Sequence, residues 1–452
     1  MNFNTLEFIL LYLPIVIGLT YTVPPTWRLR VLLLASLVFY GISGLLPLAF
    51  LIASVLWGYA FALLFRRHRS TGALLAAVSL PLLTLFLGKY LRFTLDTIGV
   101  GDTVRTAFAP VLAIALPAGI SFYTFKIISY ELDVYDGKVK ATSSLTLLAS
   151  FFCLFPHLIA GPILRFADLQ QQFTRLATER KIDADWNGAI KFFAIGLFYK
   201  TFFADMLRGL HESYPLFAAA NNYWDTWYYV LSYAFVIYFD FWGYSLMAIG
   251  LAKMVGIDFP RNFREPYMSA SPKEFWRRWH ITLSFWLRDY VYLKLGGNDR
   301  YVRNILIVFL VTGLWHGAGW NFVLWGGYHA VFVLLYHFSR RWWDAWPLLV
   351  QRCITFMVVA LGWPLFFLKP DGYVDLLARL APTSTHWASS FGLHHWLIMG
   401  IVAAWTFFVR EDKLIFNTDR PSFLDNPVLL GIGTFMSVLF LNYARTFIYF
   451  QF

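Results

Sequence analysis

Apolar runs of membrane-spanning length recur along the whole chain, separated by short polar or basic stretches. A helix needs about 20 apolar residues to cross roughly 30 Å of hydrocarbon. On that rule spans are predicted near residues 5–22, 31–43, 45–65, 72–90, 107–128, 142–160, 187–206, 226–251, 303–318, 321–338, 350–368, 394–409 and 427–446. Several of these are short or carry Gly and Pro, which predicts re-entrant or half-length helices among them. The pattern predicts an all-α, polytopic integral membrane protein of about 11–13 transmembrane or re-entrant helices. No long low-complexity linker, soluble extra domain or internal repeat stands out. The first apolar stretch, from Leu6 to about Thr22, lacks a basic leader and a small-residue cleavage site, and is expected to be a retained span.

Composition agrees with the pattern. The 452 residues are 59% hydrophobic and only 14% charged, against about 45–50% and about 25% in a soluble domain. So few charges cannot cover a water-facing surface. The 19 Trp, 25 Tyr and 46 Phe suit interfacial belts, where a ring is buried and its polar atom stays wet. The net charge of +11 implies lipid headgroups and not nucleic acid, because Lys and Arg lie between apolar segments, where they set orientation. Arg28 and Arg30 follow the first span, and Arg66, Arg67 and Arg69 the third. If the early spans alternate, both loops are cytoplasmic and the N-terminus is periplasmic, with Lys89 and Arg92 as exceptions. Cys153 and Cys353 both sit in apolar stretches, so no disulfide and no cysteine metal site are expected, and no metal ligand set appears elsewhere.

The stretch 252–303 breaks the apolar pattern. It holds ten Lys/Arg against five Asp/Glu, yet remains dense in Trp, Tyr and Leu. Too aromatic for a plain loop and too charged for a span, it reads as amphipathic helix at or dipping into the interface. Ser271, Pro272 and Glu274 form a helix start with cap, first-turn proline and capping-box acid. In one continuous helix Trp276, Trp279, His280, Leu283 and Leu287 share a face, while Arg277, Ser284 and Arg288 fall on another. A lipid-headgroup anchor is the simpler reading of the same arginines.

His316 lies in TGLWHGAGW (312–320), inside an apolar run that begins after Arg303. Thirteen helical residues past an interface at Arg303 place it about 20 Å deep. An ionisable side chain at that depth is a functional candidate, and Gly313, Gly317 and Gly319 allow another helix or a substrate to come close. The structural alternative is a neutral imidazole bonded to a backbone carbonyl, the preferred reading for His329 and His337. No Gly-rich phosphate loop, zinc motif or Ser-His-Asp spacing is present, so any chemistry rests on histidine.

At these two stretches the sequence resembles the membrane-bound O-acyltransferase family, in particular its bacterial alginate O-acetyltransferase branch. The similarity runs nearly end to end: LPAGISFYTF (116–125), DVY (133–135), FPHLIAGPI (155–163), YFDF (238–241), Phe275 to Asp289, LGGN (295–298), GLWHG (313–317) and FIYFQF (447–452). Trp242 stands where the branch usually has Ser, and Leu246 where it usually has Asp; neither departure touches the histidine pair. The resemblance implies one transmembrane domain over 1–452, with N-terminal helices to 110, a core from 111 to 340 and C-terminal helices beyond, arranged around a central tunnel. It maps the family's invariant histidine to His316 and its second site histidine to His280. Donor-binding residues would be Trp276, Arg277, Arg278, Trp279, Arg288, Asn298, Trp315 and Trp320, and Asp240, Tyr244, Gly313 and Gly317 would shape the tunnel. It implies a bacterial inner-membrane enzyme that uses acetyl-CoA as substrate with no bound cofactor. An extracytoplasmic SGNH-type acetyltransferase partner and a polysaccharide acceptor would complete the system.

On that reading His316 is a general base for an alcohol attacking a thioester, a role that typically contributes about 10²–10⁴-fold. His280 orients the donor or steadies the charge on the carbonyl oxygen, and Arg277, Arg278 and Arg288 meet phosphates. Peptidoglycan O-acetylation and D-alanyl transfer to teichoic acid are the enzymatic alternatives. A glycan transporter or flippase is the alternative of another class, but it predicts repeated halves with matching broken helices, which the sequence lacks.

Overall fold

The computed structural model describes residues 2–113, 117–212, 223–381, 389–416, 422–441, 445 and 447, and these residues form helices and connecting segments without a strand. Leu116 of the LPAGISFYTF stretch, and residues 448–452 of the terminal motif, lie outside the described residues. Among the described residues five helices are long and apolar enough to cross a membrane: Leu45–Leu64, Thr71–Ile98, Tyr223–Lys253, Trp320–Trp343 and Leu348–Phe366. Shorter apolar helices cover Phe8–Thr22, Leu393–Phe408 and Pro427–Leu439. The protein is thus a multi-pass, all-helical membrane protein, but several predicted spans resolve into shorter pieces. The run at 107–128 is divided between Asp102–Leu112 and Ile120–Tyr135, and the run at 142–160 holds only Leu145–Cys153 before a 3-10 turn at Phe155–His157. The ring of Pro156 accounts for the second break, since proline has no N–H to continue a helix.

Packing divides the chain into two compact units, Met1–Phe193 with Met247–Pro260, and Ala194–Leu246 with Arg261–Phe452. The division drawn from sequence at 110 and 340 follows motif order along the chain, whereas these boundaries follow packing.

In the first unit Phe3, Phe8, Tyr12, Phe39 and Phe155 form a buried aromatic cluster with ring centroids 5.1–6.3 Å apart. Two of the quoted motifs meet here. Gly119, at φ +72°, lies so close to the backbone of Leu158 and Ile159 that a Cβ would overlap it, and Lys126 Nζ donates to the Phe152 carbonyl at 2.9 Å and lies 3.0 Å from His157 Nδ1. Arg28, taken above as an orientation signal, is buried. Its guanidinium donates to the carbonyls of Leu176, Glu179 and Arg180 at the end of the Phe166–Thr178 helix. There it satisfies carbonyls that no longer have an intrahelical partner.

In the second unit a buried ion cluster ties two elements together. Lys200 Nζ lies 2.5 Å from Asp205 Oδ1 and 2.5 Å from Asp240 Oδ1, all three side chains being nearly inaccessible. Gly243 lets the helix that carries Asp240 come against the backbone of Gly196 and Lys200, where a Cβ would overlap. Lys200→Met is expected to destabilise the protein by about 3–5 kcal/mol, because removing one partner leaves buried carboxylates uncompensated. Thermal unfolding in detergent with an unchanged midpoint would contradict this.

The stretch 252–303 is not one amphipathic helix. Helix Pro272–Arg278 starts at the predicted cap, with the Ser271 hydroxyl accepting from the Glu274 N–H, and the Glu274 carboxylate accepts from the Ala270 N–H. The helix stops at Arg278, Trp279 is extended, and a second helix runs over Ile281–Leu287. Between them His280 adopts φ 43° and ψ 55°, the left-handed region. The face assignment drawn on a continuous helix fails for that reason: the break turns the second helix, and residues from both predicted faces border the same space.

Candidate active site

That space is a cavity of about 440 Å³ in the second unit. Its walls include Trp276, Arg277, Trp279, His280, Ser284, Arg288, Asn298 and His316, all singled out from the sequence, together with Lys273, Tyr292, Tyr301 and Thr312, which were not. The two histidines therefore share one cavity, although 36 residues separate them in the chain.

His316 reaches the cavity because its helix ends on it. Helix Tyr301–His316 has 16 residues, about 24 Å at 1.5 Å per residue, short of the roughly 30 Å of a full span. Gly317 and Gly319 are extended, and the chain returns as Trp320–Trp343. The two helices of this hairpin touch through glycine: a Cβ on Gly313 would overlap the Phe322 carbonyl, and one on Gly326 the Phe309 carbonyl. Gly317 lies against the Phe322 ring in the same way. Around His316 the rings of Trp315, Trp325 and Phe366 stand 4.9, 5.0 and 5.2 Å away, centroid to centroid. The imidazole is buried in an aromatic box with the cavity on one side.

His280 is buried as well. Its ring meets Phe241 edge to face at 4.7 Å and Trp315 at 5.9 Å. Burial pushes its pKa down to about 3, because removal from water penalises the charged form, so the ring is neutral at physiological pH. Trp315 does not line the cavity; it packs against both histidines and holds their spacing.

The other residues named from sequence are spread more widely. Arg278 bonds Glu274 at 2.6 Å and stays outside the cavity wall. Trp320 is exposed at the start of its helix. Asp240 belongs to the Lys200 cluster, and Tyr244 stacks on Phe447 at 4.7 Å. His329, read as structural, is buried beside Trp276 and Trp325 at 4.9 and 4.8 Å. Trp242, at a position where the resemblance meets a departure, donates from Nε1 to Glu411 at 3.1 Å, next to a 2.8 Å bond from the Tyr238 hydroxyl.

A second, polar cavity of about 410 Å³ shares Lys273 and Arg277 with the first, and is completed by Glu274, Tyr336, His337, Arg340 and Asp344 among others. Arg340 is paired with Asp344 at 3.1 Å, and Glu274 with Arg278. Lys273 and Arg277 form no ion pair with a carboxylate among the described residues. Two cations without a carboxylate on the wall shared by an apolar and a polar cavity suit a ligand with an apolar arm and an anionic head. Sequence reasoning missed Lys273 because on a continuous helix nothing sets it apart from the neighbouring basic residues.

Known proteins resemble this chain over most of its length. The chain is 39% identical over 383 residues to a probable alginate O-acetylase, AlgI, of Azotobacter vinelandii, covering 81% of this chain and 75% of that protein. It is 32% identical over 412 residues to a peptidoglycan O-acetyltransferase of Helicobacter pylori, covering 81% and 77%. It is also 32% identical over 275 residues to a teichoic acid D-alanyltransferase of Bacillus subtilis, covering 56% and 69%. The family model for membrane-bound O-acyltransferases matches residues 32–371, a range that holds both histidines and every cavity residue named above. From its helix-terminal histidine to the extent of these matches, the chain belongs to the membrane-bound O-acyltransferase family.

Proposed function

We propose that this enzyme takes an acetyl group from cytoplasmic acetyl-CoA and delivers it to a hydroxyl on the far side of the bacterial inner membrane, in the O-acetylation of an exopolysaccharide such as alginate or cellulose. The direct acceptor is a serine of an extracytoplasmic SGNH-type partner or the polysaccharide itself. The N-terminus is then periplasmic. The observation that carries the reading is the shared cavity: two buried histidines at one end and an unpaired basic wall, Lys273 and Arg277, at the other. The names of the alginate relatives support the polymer class.

In this reading the donor's phosphates meet Lys273 and Arg277, and its thioester lies among Trp276, Trp279 and His280. His316 accepts the proton of the acceptor hydroxyl as its oxygen attacks the thioester carbonyl. The C–O bond forms, the C–S bond breaks, and the proton passes to the departing thiolate. His280 Nδ1 lies 3.1 Å from the Asn262 side-chain oxygen, so a neutral imidazole has no N–H left to offer an oxyanion, and of the two roles considered for His280 the donor-orienting one is favoured.

Lys273→Met with Arg277→Met is expected to raise KM for acetyl-CoA by roughly 10–100-fold, the loss of one or two charge-assisted phosphate contacts, with kcat little changed. Transfer from labelled acetyl-CoA by purified protein measures both. An unchanged KM, or transfer only from a charged carrier protein, would sink the donor assignment. Peptidoglycan is a second reading, favoured by the Helicobacter relative. Ester-linked acetate measured on each surface polymer in a deletion strain separates the two.

A further inference from the structure

Asn262 lies in the loop that follows the long buried helix, next to His280 in space but 18 residues earlier in the chain. Its side-chain oxygen accepts from the Thr282 backbone N–H at 3.3 Å and from the Thr282 hydroxyl at 2.9 Å, and lies 3.1 Å from His280 Nδ1. A backbone N–H only donates, so the amide atom facing it must be the oxygen; the flipped amide would set N–H against N–H. An oxygen acceptor in turn requires His280 Nδ1 to carry the proton. A neutral imidazole has one N–H, which leaves the lone pair on Nε2. That atom is buried, has no hydrogen-bond partner among the described residues, and belongs to a residue of the cavity wall.

The surroundings fix this arrangement. His280 holds the left-handed conformation, which a residue with a Cβ keeps only where its neighbours impose it. The Asn262 carbonyl accepts from the Ile281 N–H at 2.9 Å, and the Arg278 carbonyl from the Arg264 N–H at 2.9 Å, so the 262–264 loop and the helix break are laced together. A distant stretch braces the loop: Arg261 and Arg264 pair with Asp412, the latter at 3.0 Å, and Arg410 pairs with Glu265 at 3.5 Å.

We propose that Asn262 is a positioning residue for acyl transfer, holding His280 in the Nδ1–H tautomer so that its Nε2 presents a lone pair to a substrate O–H or N–H. His280 is then an acceptor in the cavity, for the acceptor hydroxyl or for an amide N–H of the donor's thioester arm. The inference rests on the acyl-transfer reading for its consequence, but the tautomer can be read without any substrate.

The test is nitrogen-15 NMR of histidine-labelled protein, with the His280 signals assigned by their loss in His280→Gln. A pyrrole-type Nδ1 and a pyridine-type Nε2 are expected in the wild type; the reverse assignment overturns the proposal regardless of donor or polymer. Asn262→Leu, which removes the acceptor oxygen, is expected to shift the tautomer and lower turnover at least 10-fold. Asn262→Asp, which keeps that oxygen, is expected to retain the Nδ1 proton and recover most of the loss. A purely structural role would lower folded yield without moving the tautomer. A rise in KM for the donor alone assigns the Nε2 contact to the thioester arm, and a fall in kcat with donor KM unchanged assigns it to the acceptor hydroxyl. A folded Asn262→Leu variant with wild-type tautomer and turnover would refute the role.

Discussion

His316→Ala is expected to lower acyl transfer by about 10²–10⁴-fold, the range for loss of a general base, with little change in the amount of folded protein. An alcohol is a weak nucleophile until its proton leaves, and the imidazole at residue 316 is placed where a hydroxyl in the cavity can hand that proton over. His316→Gln keeps a polar side chain of similar reach but cannot accept and return a proton at neutral pH, so it should be nearly as impaired. Transfer from labelled donor under single-turnover conditions separates chemistry from product release. Either variant turning over within a few-fold of the wild type would end the assignment.

Gly313→Leu is expected to cost stability at or above the upper end of the roughly 1–3 kcal/mol usual for overpacking. The usual figure describes side chains that shift to make room. Here the added Cβ meets the backbone carbonyl of Phe322 on the facing helix, and backbone cannot rotate away. The two helices of the hairpin must separate, which opens the contact that sets the height of His316. Gly327→Leu on the same hairpin is the control, because a Cβ there meets nothing within 4 Å. Unfolding midpoints in detergent should fall for the first variant and stay for the second. Equal midpoints would mean that the close approach is not what holds the hairpin.

The comparison of these two glycines bears on what sequence can convey. Gly313 and Gly327 both sit in apolar surroundings, and only the facing backbone distinguishes them. The same holds for the arginines of the basic stretch. Arg277 and Arg278 are adjacent in the chain, yet one borders both cavities and the other is engaged by Glu274 one turn earlier.

Membrane residence, helical class, 252–303 as a stretch apart from the apolar pattern and His316 as a candidate were legible in the chain itself. Each follows from local facts: the length of apolar runs, the density of charge, and an ionisable residue far from any interface; the pairing of His280 with His316 came only from the family resemblance. Tertiary structure alone decided the rest. The break at His280 requires a left-handed residue, which no helix-period pattern signals because the hydrophobic positions continue through it. Lys200, Asp205 and Asp240 look like isolated intramembrane charges until packing sets both carboxylates 2.5 Å from the lysine nitrogen. Asn262 reads as an ordinary loop residue until a chain reversal sets its oxygen against the imidazole 18 positions later. Hydrogen bonds and ion pairs act over about 3 Å, and which distant residues come that close is a property of the folded chain.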